Sequence, residues 1–273
     1  METGLKGKTV IVTGGGSNIG KGIVLAFARE GSKMAIVDID EAQSHKVADK
    51  AKQLGAESAL VIKTDVTRND QVENMVRTVL DKFGKIDVLV NNVGWPADGS
   101  FMSETEAVLE KEMALNLRST INCIQAVLPH MIKVNSGTVV NIGSEAGRSG
   151  DPQRVVYSAC KGGVIALTKA IARDVGRYSI TVNCVSPHCI IPEDPENDAG
   201  EGSMFHLTKG QHGKTVLPLL KSPEARQAAT SGHALSRLGK PSDIGAAVVF
   251  LSSEAASYIT GQTLCVNGGD SMT

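Results

Sequence analysis

The sequence predicts an α/β protein: a doubly wound parallel sheet of about seven strands with helices on both faces. Short runs rich in Val, Ile and Thr alternate with longer stretches of helical spacing, which is typical of βαβ units. Aromatic residues make up only 3% of the chain, so aliphatic side chains must form the core, as expected of strands buried on both faces. Right-handed crossovers then place ligands at the carboxyl ends of the strands.

The predicted elements follow one another along the whole chain. The β-branched runs that predict strands are residues 9–13, 34–37, 59–62, 86–90, 138–142, 180–185 and 263–266. The stretches with helical spacing are residues 19–30, 41–54, 71–83, 105–131, 153–178 and 242–251. No shift in composition marks a second unit, so we expect residues 1–273 to form a single domain.

One long segment, residues 188–239, fits neither pattern. Its part 192–203 reads PEDPENDAGEGS, which is acidic and rich in Pro and Gly. A long insertion in a compact domain is either a functional lid or disordered. Because this segment follows the sixth strand, where a ligand would bind, we interpret it as a substrate lid.

Charge and composition argue against several classes of function. The 28 basic and 29 acidic residues nearly cancel and no basic run occurs, so no nucleic-acid partner is expected. The N-terminus lacks the pattern of a secretory signal, and apolar runs such as 248–251 are far shorter than the roughly 20 residues of a membrane span. The five cysteines show no paired metal spacing, nor do His206 and His212, so we expect a cytoplasmic protein without a metal site.

A glycine-rich loop between the first strand and the first helix is the first candidate site. Residues 13–20 read TGGGSNIG. Glycines let the turn tighten and the backbone approach a pyrophosphate, which the N–H groups of a helix start attract. An ordinary glycine-rich turn is the alternative. The expected cofactor contacts here are Gly14, Ser17, Asn18, Ile19 and Gly20.

The end of the second strand favours a dinucleotide and discriminates between two of them. Asp38 lies eighteen residues beyond Gly20, where an acidic side chain accepts hydrogen bonds from the adenosine ribose. Its carboxylate would repel the 2′-phosphate of NADP, and no Arg lies in the loop or directly after Asp38. We therefore predict a Rossmann-like domain that binds NAD, with Asp38 and Ile39 beside the adenosine. A solvated Asp at a strand end is the alternative.

The order of the motifs resembles that of the short-chain dehydrogenases/reductases over nearly the whole chain. The loop 13–20 is similar to that family's TGxxxGxG element, and residues 91–94 (NNVG) are similar to its NNAG element. Three positions near the cofactor depart from the family pattern. Asn18 replaces a Gly, which Asn tolerates because it enters left-handed backbone more readily than other side chains do. His188 and Pro192 stand where the family usually has Gly and Thr.

The resemblance also implies roles for residues that no spacing argument assigns. Asp65 and Val66 match the pair that holds the adenine. The other implied cofactor contacts are Asn92, Gly94, Tyr157, Lys161, Pro187 and Ile190. The implied catalytic residues are Asn116, Ser144, Tyr157 and Lys161. A symmetric homotetramer is implied as well.

The chemistry of this group can be stated from the residue types. A Tyr with pKa near ~10 is a poor base at neutral pH. Lys161 lies four residues after Tyr157, on the same helix face, and its charge would favour the phenolate. By the resemblance, Ser144 would hydrogen-bond the reacting oxygen, and Asn116 would support a water that relays protons. Taken alone, a Tyr and a Lys at this spacing are usually helix surface.

These features predict an NAD(H)-dependent enzyme that interconverts a small-molecule secondary alcohol and a ketone. Trp95, Arg148 and Arg154 are candidate substrate contacts, with a core role for Trp95 and solvated surface roles for both Arg as alternatives. The run 144–148 faintly resembles alicyclic hydroxyacyl-CoA dehydrogenases, and the lid residues Lys209, Lys214, Lys221 and Arg226 could meet CoA phosphates. An NADP-linked oxoacyl-carrier-protein reductase is one alternative, against which Asp38 argues. A non-catalytic dinucleotide-binding regulator is the other.

Overall fold

The computed structural model of the protein describes residues 2–200, 202–219 and 221–272. Within them, seven parallel strands form one sheet in the order β3-β2-β1-β4-β5-β6-β7. The strands are β1 (Thr9–Thr13), β2 (Lys33–Asp38), β3 (Ser58–Lys63), β4 (Val88–Asn91), β5 (Gly137–Ile142), β6 (Ile180–Pro187) and β7 (Thr263–Val266). The strand order reverses between β1 and β4, and ligands of doubly wound sheets bind in the crevice at such a reversal. The predicted fold class is confirmed.

Helices cover both faces of this sheet. They are α1 (Asn18–Arg29), α2 (Glu41–Gln53), α3 (Asn69–Phe83), α4 (Glu106–Met113), α5 (Ser119–Lys133), α6 (Ala146–Ser149), α7 (Val155–Val175), α8 (Pro195–Asp198), α9 (Gln211–Leu219), α10 (Pro223–Thr230) and α11 (Pro241–Ser252). Side chains alternate along a strand, so each strand feeds two cores. Val10 and Val12 pack with α1, α2 and α11. Ile11 packs with α3, α5 and α7 on the other face.

The single helix predicted over 105–131 is interrupted by a π-helical segment. α4 and α5 are joined by residues Ala114–Arg118, in which the backbone makes wider turns. Insertions of this kind occur mostly as single turns and often at functional sites. Asn116 lies in the middle of the segment and is fully buried. Apolar spacing continues through this stretch, so periodicity could not reveal the change.

The segment 188–239 contains α8, α9 and α10; its residues 201 and 220 lie outside the described residues. Ala199, Phe205 and Leu217 form a small apolar cluster of their own. The segment lies against the glycine loop, since the Gly200 N–H donates to the Ser17 hydroxyl at 2.9 Å. The segment therefore contacts the glycine loop at the carboxyl edge of the sheet.

Among the described residues, the helical stretch Val155–Tyr178 is long and apolar enough to cross a membrane, judged by length and composition alone. It packs against β6, and its Lys161 is buried against the sheet with 2% of its surface exposed. We assign it to the core of the domain. Only 28% of its apolar window is buried within one chain, and most of the remaining residues of that window are partly exposed.

Candidate active site

The four predicted catalytic residues meet at the carboxyl edge of the sheet. Ser144 lies just beyond β5, Tyr157 and Lys161 lie in the first turns of α7, and Asn116 lies in the π segment. The Ser144 hydroxyl hydrogen-bonds the Tyr157 phenol. The ammonium group of Lys161 donates to the Ile142 carbonyl at 2.8 Å and lies 5.7 Å from the centre of the Tyr157 ring.

Gly94, directly beyond β4, gives Lys161 and Asn116 room to approach each other. A Cβ at Gly94 would lie 3.1 Å from Asn116 Oδ1 and 3.1 Å from Lys161 Nζ. The Asn116 amide also pairs twice with the Trp95 backbone: Oδ1 accepts from the N–H, and Nδ2 donates to the carbonyl, both at 2.8 Å. The π-helical segment therefore holds the Asn116 amide near Lys161, and through that amide it also holds the loop after β4.

The pKa of Tyr157 differs from the sequence-based expectation that the charge of Lys161 lowers it. Burial raises the pKa of Tyr157, against the lowering influence of the Ser144 hydrogen bond and the Arg154 charge. Burial also lowers the pKa of Lys161 to about 8. Both shifts have the same origin, because burial disfavours the charged form of each group. Burial, rather than the charge of Lys161, therefore dominates the pKa of Tyr157 in this structure.

The glycine loop has the shape that a pyrophosphate requires. Gly14 has φ +62°, and a Cβ at Gly20 would lie 1.9 Å from the Gly14 carbonyl oxygen, so neither position accepts a side chain without strain. Asn18 has φ +40°, which confirms that Asn can take the place of a Gly here. Ser17 precedes the first turn of α1, and the side chain of Ile19 packs on the core. These residues fit a dinucleotide.

Asp38 ends β2 beside this loop. Its Oδ2 accepts from the Gly16 N–H at 2.9 Å, and its Oδ1 accepts from the Asp40 N–H at 3.1 Å. Burial raises the pKa of the Asp38 carboxyl, although these backbone hydrogen bonds oppose the change. Ile39 is 58% exposed, so it is available to a ligand.

Three further predicted cofactor residues differ in their contacts. The Asn92 side chain donates to the carbonyls of Thr13 and Gly14, at 3.0 and 3.2 Å, and ties β4 to the glycine loop. Asp65 follows β3, and its Oδ1 accepts from the backbone and hydroxyl of Thr67. Val66 is buried in the core, so its side chain faces away from any ligand.

The residues after β6 are placed differently from one another. Pro187 ends β6 at the carboxyl edge. Ile190 is buried in the core, and its backbone forms a bridge with Gly239. A contact of Ile190 with the cofactor therefore has to come from its backbone.

The three candidate substrate contacts have different surroundings. The Trp95 ring is partly buried, with the Lys111 ammonium 3.9 Å from its centre. Arg154 pairs with Asp98 at the mouth of the site. Arg148 pairs with Glu145 at 3.1 Å and contacts the Cys265 thiol, so a substrate contact would have to break this arrangement.

Two residues of the site, Asp98 and Glu112, were not identified from the sequence. Asp98 was missed because its partners are remote in sequence. Asp98 Oδ2 accepts from the Gln211 side chain and pairs with the His212 ring, each at 2.9 Å, across more than a hundred residues. Although burial opposes it, hydrogen bonds from His212 and Arg154 hold the pKa of the Asp98 carboxyl below its usual value. This group joins α9 to the loop after β4.

Glu112 is the other missed residue. It is completely buried in α4, one turn before Asn116. Its Oε1 accepts from the Ala97 N–H at 2.8 Å, whereas its Oε2 has no hydrogen-bond partner. Burial raises the pKa of the Glu112 carboxyl, and the nearby charges of Glu104 and Asp98 add to the shift. An acidic residue four positions before a motif Asn carries no recognisable sequence signal.

We expect Glu112→Gln to raise the melting temperature at pH 7. A carboxyl whose folded pKa is raised destabilises the fold as pH rises from 4.5, the unfolded value, through the folded pKa. Gln keeps the acceptor for Ala97 and removes the buried charge. Each 1 kcal/mol gained corresponds to roughly 2–4 °C.

The gain from Glu112→Gln should disappear at pH 4, where wild type is protonated. Thermal melts at pH 4, 5.5 and 7 measure it. Glu110→Gln is the matched control, because Glu110 lies on the same helix and is exposed. An equal gain at every pH, or in the control, would disprove the assignment.

Comparisons with known proteins agree with this geometry. The model of the short chain dehydrogenase family matches residues 8–195, and that of the enoyl-(acyl carrier protein) reductases matches residues 215–271. The 3-oxoacyl-[acyl-carrier-protein] reductase FabG of Thermotoga maritima is 35% identical over 97% of this chain and 98% of its own. The proteins of the same name from Staphylococcus epidermidis and Chlamydia muridarum are 36% identical, over 96% and 98% of this chain and 98% and 99% of theirs.

These names overturn one expectation from the sequence. The favoured prediction of the substrate, a small-molecule secondary alcohol or ketone with an alicyclic or hydroxyacyl-CoA compound as one candidate, is wrong. Relatives at 35–36% identity over nearly the whole chain carry the oxoacyl reductase name and favour that alternative. Substrate choice depends on loops and lid, which no short motif encodes. The family itself was identified correctly: the chain belongs to the short-chain dehydrogenases/reductases, oxidoreductases that bind a nicotinamide dinucleotide.

Proposed function

We propose that this enzyme reduces the ketone of a 3-oxoacyl thioester carried on acyl carrier protein to the corresponding alcohol. The names of its relatives support the substrate class. The observation that carries the chemistry is geometric: the hydroxyls of Ser144 and Tyr157 lie together beside the Lys161 ammonium group, so the phenol can protonate a ketone oxygen next to a cation.

Reduction of a ketone places a hydride on carbon and a proton on oxygen. The nicotinamide of the cofactor supplies the hydride when bound. Ser144 and Tyr157 present two hydroxyls to the ketone oxygen, and Tyr157 transfers its proton as negative charge develops there. Such preorganised donors stabilise a developing oxyanion.

Lys161 stabilises the phenolate that remains after this transfer. With a pKa of about 8, its ammonium group is mostly charged at neutral pH. Its hydrogen bond to the Ile142 carbonyl holds it between Tyr157 and Gly94. Asn116, fixed by the Trp95 backbone, positions the polar path by which Tyr157 regains a proton.

The cofactor of this reductase is NADH. The support is the position of Asp38, whose carboxylate lies at the glycine loop, where a 2′-phosphate would meet it at close range. The loop contains no Arg or Lys between residues 13 and 20 to offset the repulsion.

The whole chain acts as one catalytic unit, with residues 188–239 as its substrate lid and a homotetramer as its assembly. The apolar residues of the helix 155–178 that are not buried within one chain support an oligomer, since exposed apolar patches mark interaction sites. The five free cysteines support a reducing, cytoplasmic location.

A direct assay tests the proposal. The oxidation of NADH and NADPH is followed by absorbance with 3-oxoacyl-carrier protein, with the same acyl group on a small thiol, and with simple ketones. We expect kcat/KM for the carrier-bound substrate to exceed that for simple ketones by at least about tenfold, one unit of 1.4 kcal/mol. Equal activity on simple ketones would refute the substrate class, and cofactor binding without any turnover would indicate a regulator.

We expect Asp98→Asn to weaken the lid without disabling the chemistry. The change removes the charge that Arg154 and His212 share, and a charge-assisted hydrogen bond contributes about 1.5–3 kcal/mol. KM should rise by roughly tenfold while kcat changes less. Steady-state kinetics measure this, with Asp81→Asn as an exposed control on α3. A fall in kcat at constant KM would contradict the lid role.

A further inference from the structure

Two histidines and a cysteine meet beside the carboxyl ends of β6 and β7. His188 and Cys189 directly follow β6, whereas His233 lies 45 residues beyond His188, between α10 and α11. Nδ1 of His188 lies 3.2 Å from Nε2 of His233, and Nε2 of His188 lies 3.7 Å from the Cys189 thiol. One donor atom from each residue lies within 4.8 Å of those of the other two.

This donor set and its spacing are those of a zinc-class cation. Zinc binds imidazole nitrogen at about 2.0–2.1 Å and thiolate at about 2.3 Å, so tetrahedral ligands lie about 3.4 Å apart for two nitrogens and about 3.6 Å for nitrogen and sulfur. The 3.7 Å between His188 Nε2 and the Cys189 sulfur is close to the value for nitrogen and sulfur. His233 Nε2 lies 3.2 Å from the other ring nitrogen of His188, Nδ1, so one of the two rings has to turn for both to face the same ion.

Hydrogen bonding within the cluster leaves one buried atom unsatisfied. His233 is 5% exposed, and its Nδ1 has no hydrogen-bond partner. A neutral imidazole has one N–H and one lone pair, so this nitrogen is an unpaired donor or acceptor in either tautomer. An ion bound at Nδ1 would satisfy this atom, whereas an ion bound at Nε2 would not.

The surroundings complete a metal site of the open type. Asp270 Oδ2 lies 3.4 Å from His188 Nδ1, and a carboxylate in this position commonly orients a metal-binding His. A cavity of about 540 Å³ is lined by His188 and His233, and Cys189 is partly exposed, so a cation can reach the site. Three protein ligands leave a fourth coordination position open.

We propose that His188, Cys189 and His233 bind one zinc-class divalent cation, with Asp270 orienting His188. His188 and Cys189 stand at the start of the lid segment 188–239, and His233 stands near its end. The cation therefore clips together the two ends of the lid, next to Pro187. This inference is independent of the substrate and cofactor proposed above.

Metal binding to the full-length protein tests it. Equilibrium dialysis against Zn²⁺ with metal analysis should give one tightly held ion per chain. Co²⁺ serves as a spectroscopic probe, because a thiolate ligand adds a charge-transfer absorption. Cys189→Ser should abolish that absorption, and Cys189→Ser and His233→Gln should each weaken Zn²⁺ binding at least tenfold. Asp270→Asn should weaken it by about 10–100-fold.

Matched variants separate this site from general thiol or histidine binding. Cys265→Ser removes a partly exposed thiol from the same cavity, and His206→Gln removes another lid histidine; both should bind Zn²⁺ like wild type. Cys189→Gly is a second thiol-free variant, since Cys189 has φ +48°, which Gly adopts without strain. No retained ion in wild type, or Zn²⁺ binding as tight as that of wild type in both Cys189 variants, would overturn the proposal.

Discussion

Tyr157→Phe is expected to lower kcat for thioester reduction by about 10²–10⁴-fold, the usual contribution of a positioned general acid. In the proposed reduction the phenol transfers a proton to the ketone oxygen, and Ser144 and Lys161 lie beside it. Phe preserves the ring and its packing on α7 but has nothing to donate. Rapid-quench or steady-state kinetics with saturating cofactor measure the loss, and fluorescence titration measures cofactor binding, which should remain within about threefold of wild type because Lys161 is intact.

Tyr258→Phe is the control for this experiment, because Tyr258 is fully exposed and lies far from the site in the 3₁₀ region after α11. It should have wild-type kinetics. If Tyr157→Phe retained more than a tenth of wild-type kcat, the proton would have to come from another group. A parallel loss of cofactor affinity would instead indicate a positioning role for the phenol.

Asp38→Ala is expected to raise the ratio of NADPH to NADH efficiency by about 100-fold or more. Close contact between like charges costs several kcal/mol, and each 1.4 kcal/mol is a factor of ten. Two effects act in the same direction: the repulsion of the 2′-phosphate is removed, and the acceptor for the ribose hydroxyls of NADH is lost. The measurement is kcat/KM for each cofactor at fixed thioester concentration and fixed ionic strength, since salt screens this repulsion.

Asp49→Ala provides the matched control, because it removes the same charge from an exposed position on α2. Its cofactor ratio should equal that of wild type. A wild-type enzyme that already prefers NADPH, or an unchanged ratio in Asp38→Ala, would show that the carboxylate does not discriminate between the cofactors. The substrate proposal would survive that result, since it depends on Tyr157 and the relatives rather than on Asp38.

Much of the fold could be predicted because its signals are local. β1 and β7 have the bounds that the β-branched runs indicate, and α1, α2 and α11 begin within one residue of their predicted starts. The glycine loop is equally local: Gly14 and Gly20 are required by backbone geometry over seven residues. The order of the motifs then identified the family from residue types alone.

The substrate could not be predicted from the sequence, and the predicted substrate class was wrong. Trp95, Arg148 and Arg154 were chosen because they lie near motif residues in sequence. In the structure Arg148 pairs with Glu145, and Arg154 pairs with Asp98, which also contacts α9. Proximity in sequence gives no information about which charge a long side chain meets.

The sequence by itself determined the α/β class, the order of strands and helices, the cofactor loop and the presence of the Ser-Tyr-Lys group. The α/β class, the order of elements and the cofactor loop depend on periodicity or spacing within one element or one turn, whereas the Ser-Tyr-Lys group was implied by the family resemblance. Only the tertiary structure decided the surroundings of Tyr157, the burial of Glu112, the pairing of Asp98 with His212 and the meeting of His188 with His233. Those depend on burial and on contacts between segments 45 to 114 residues apart, whose energies arise only once the chain has closed around them.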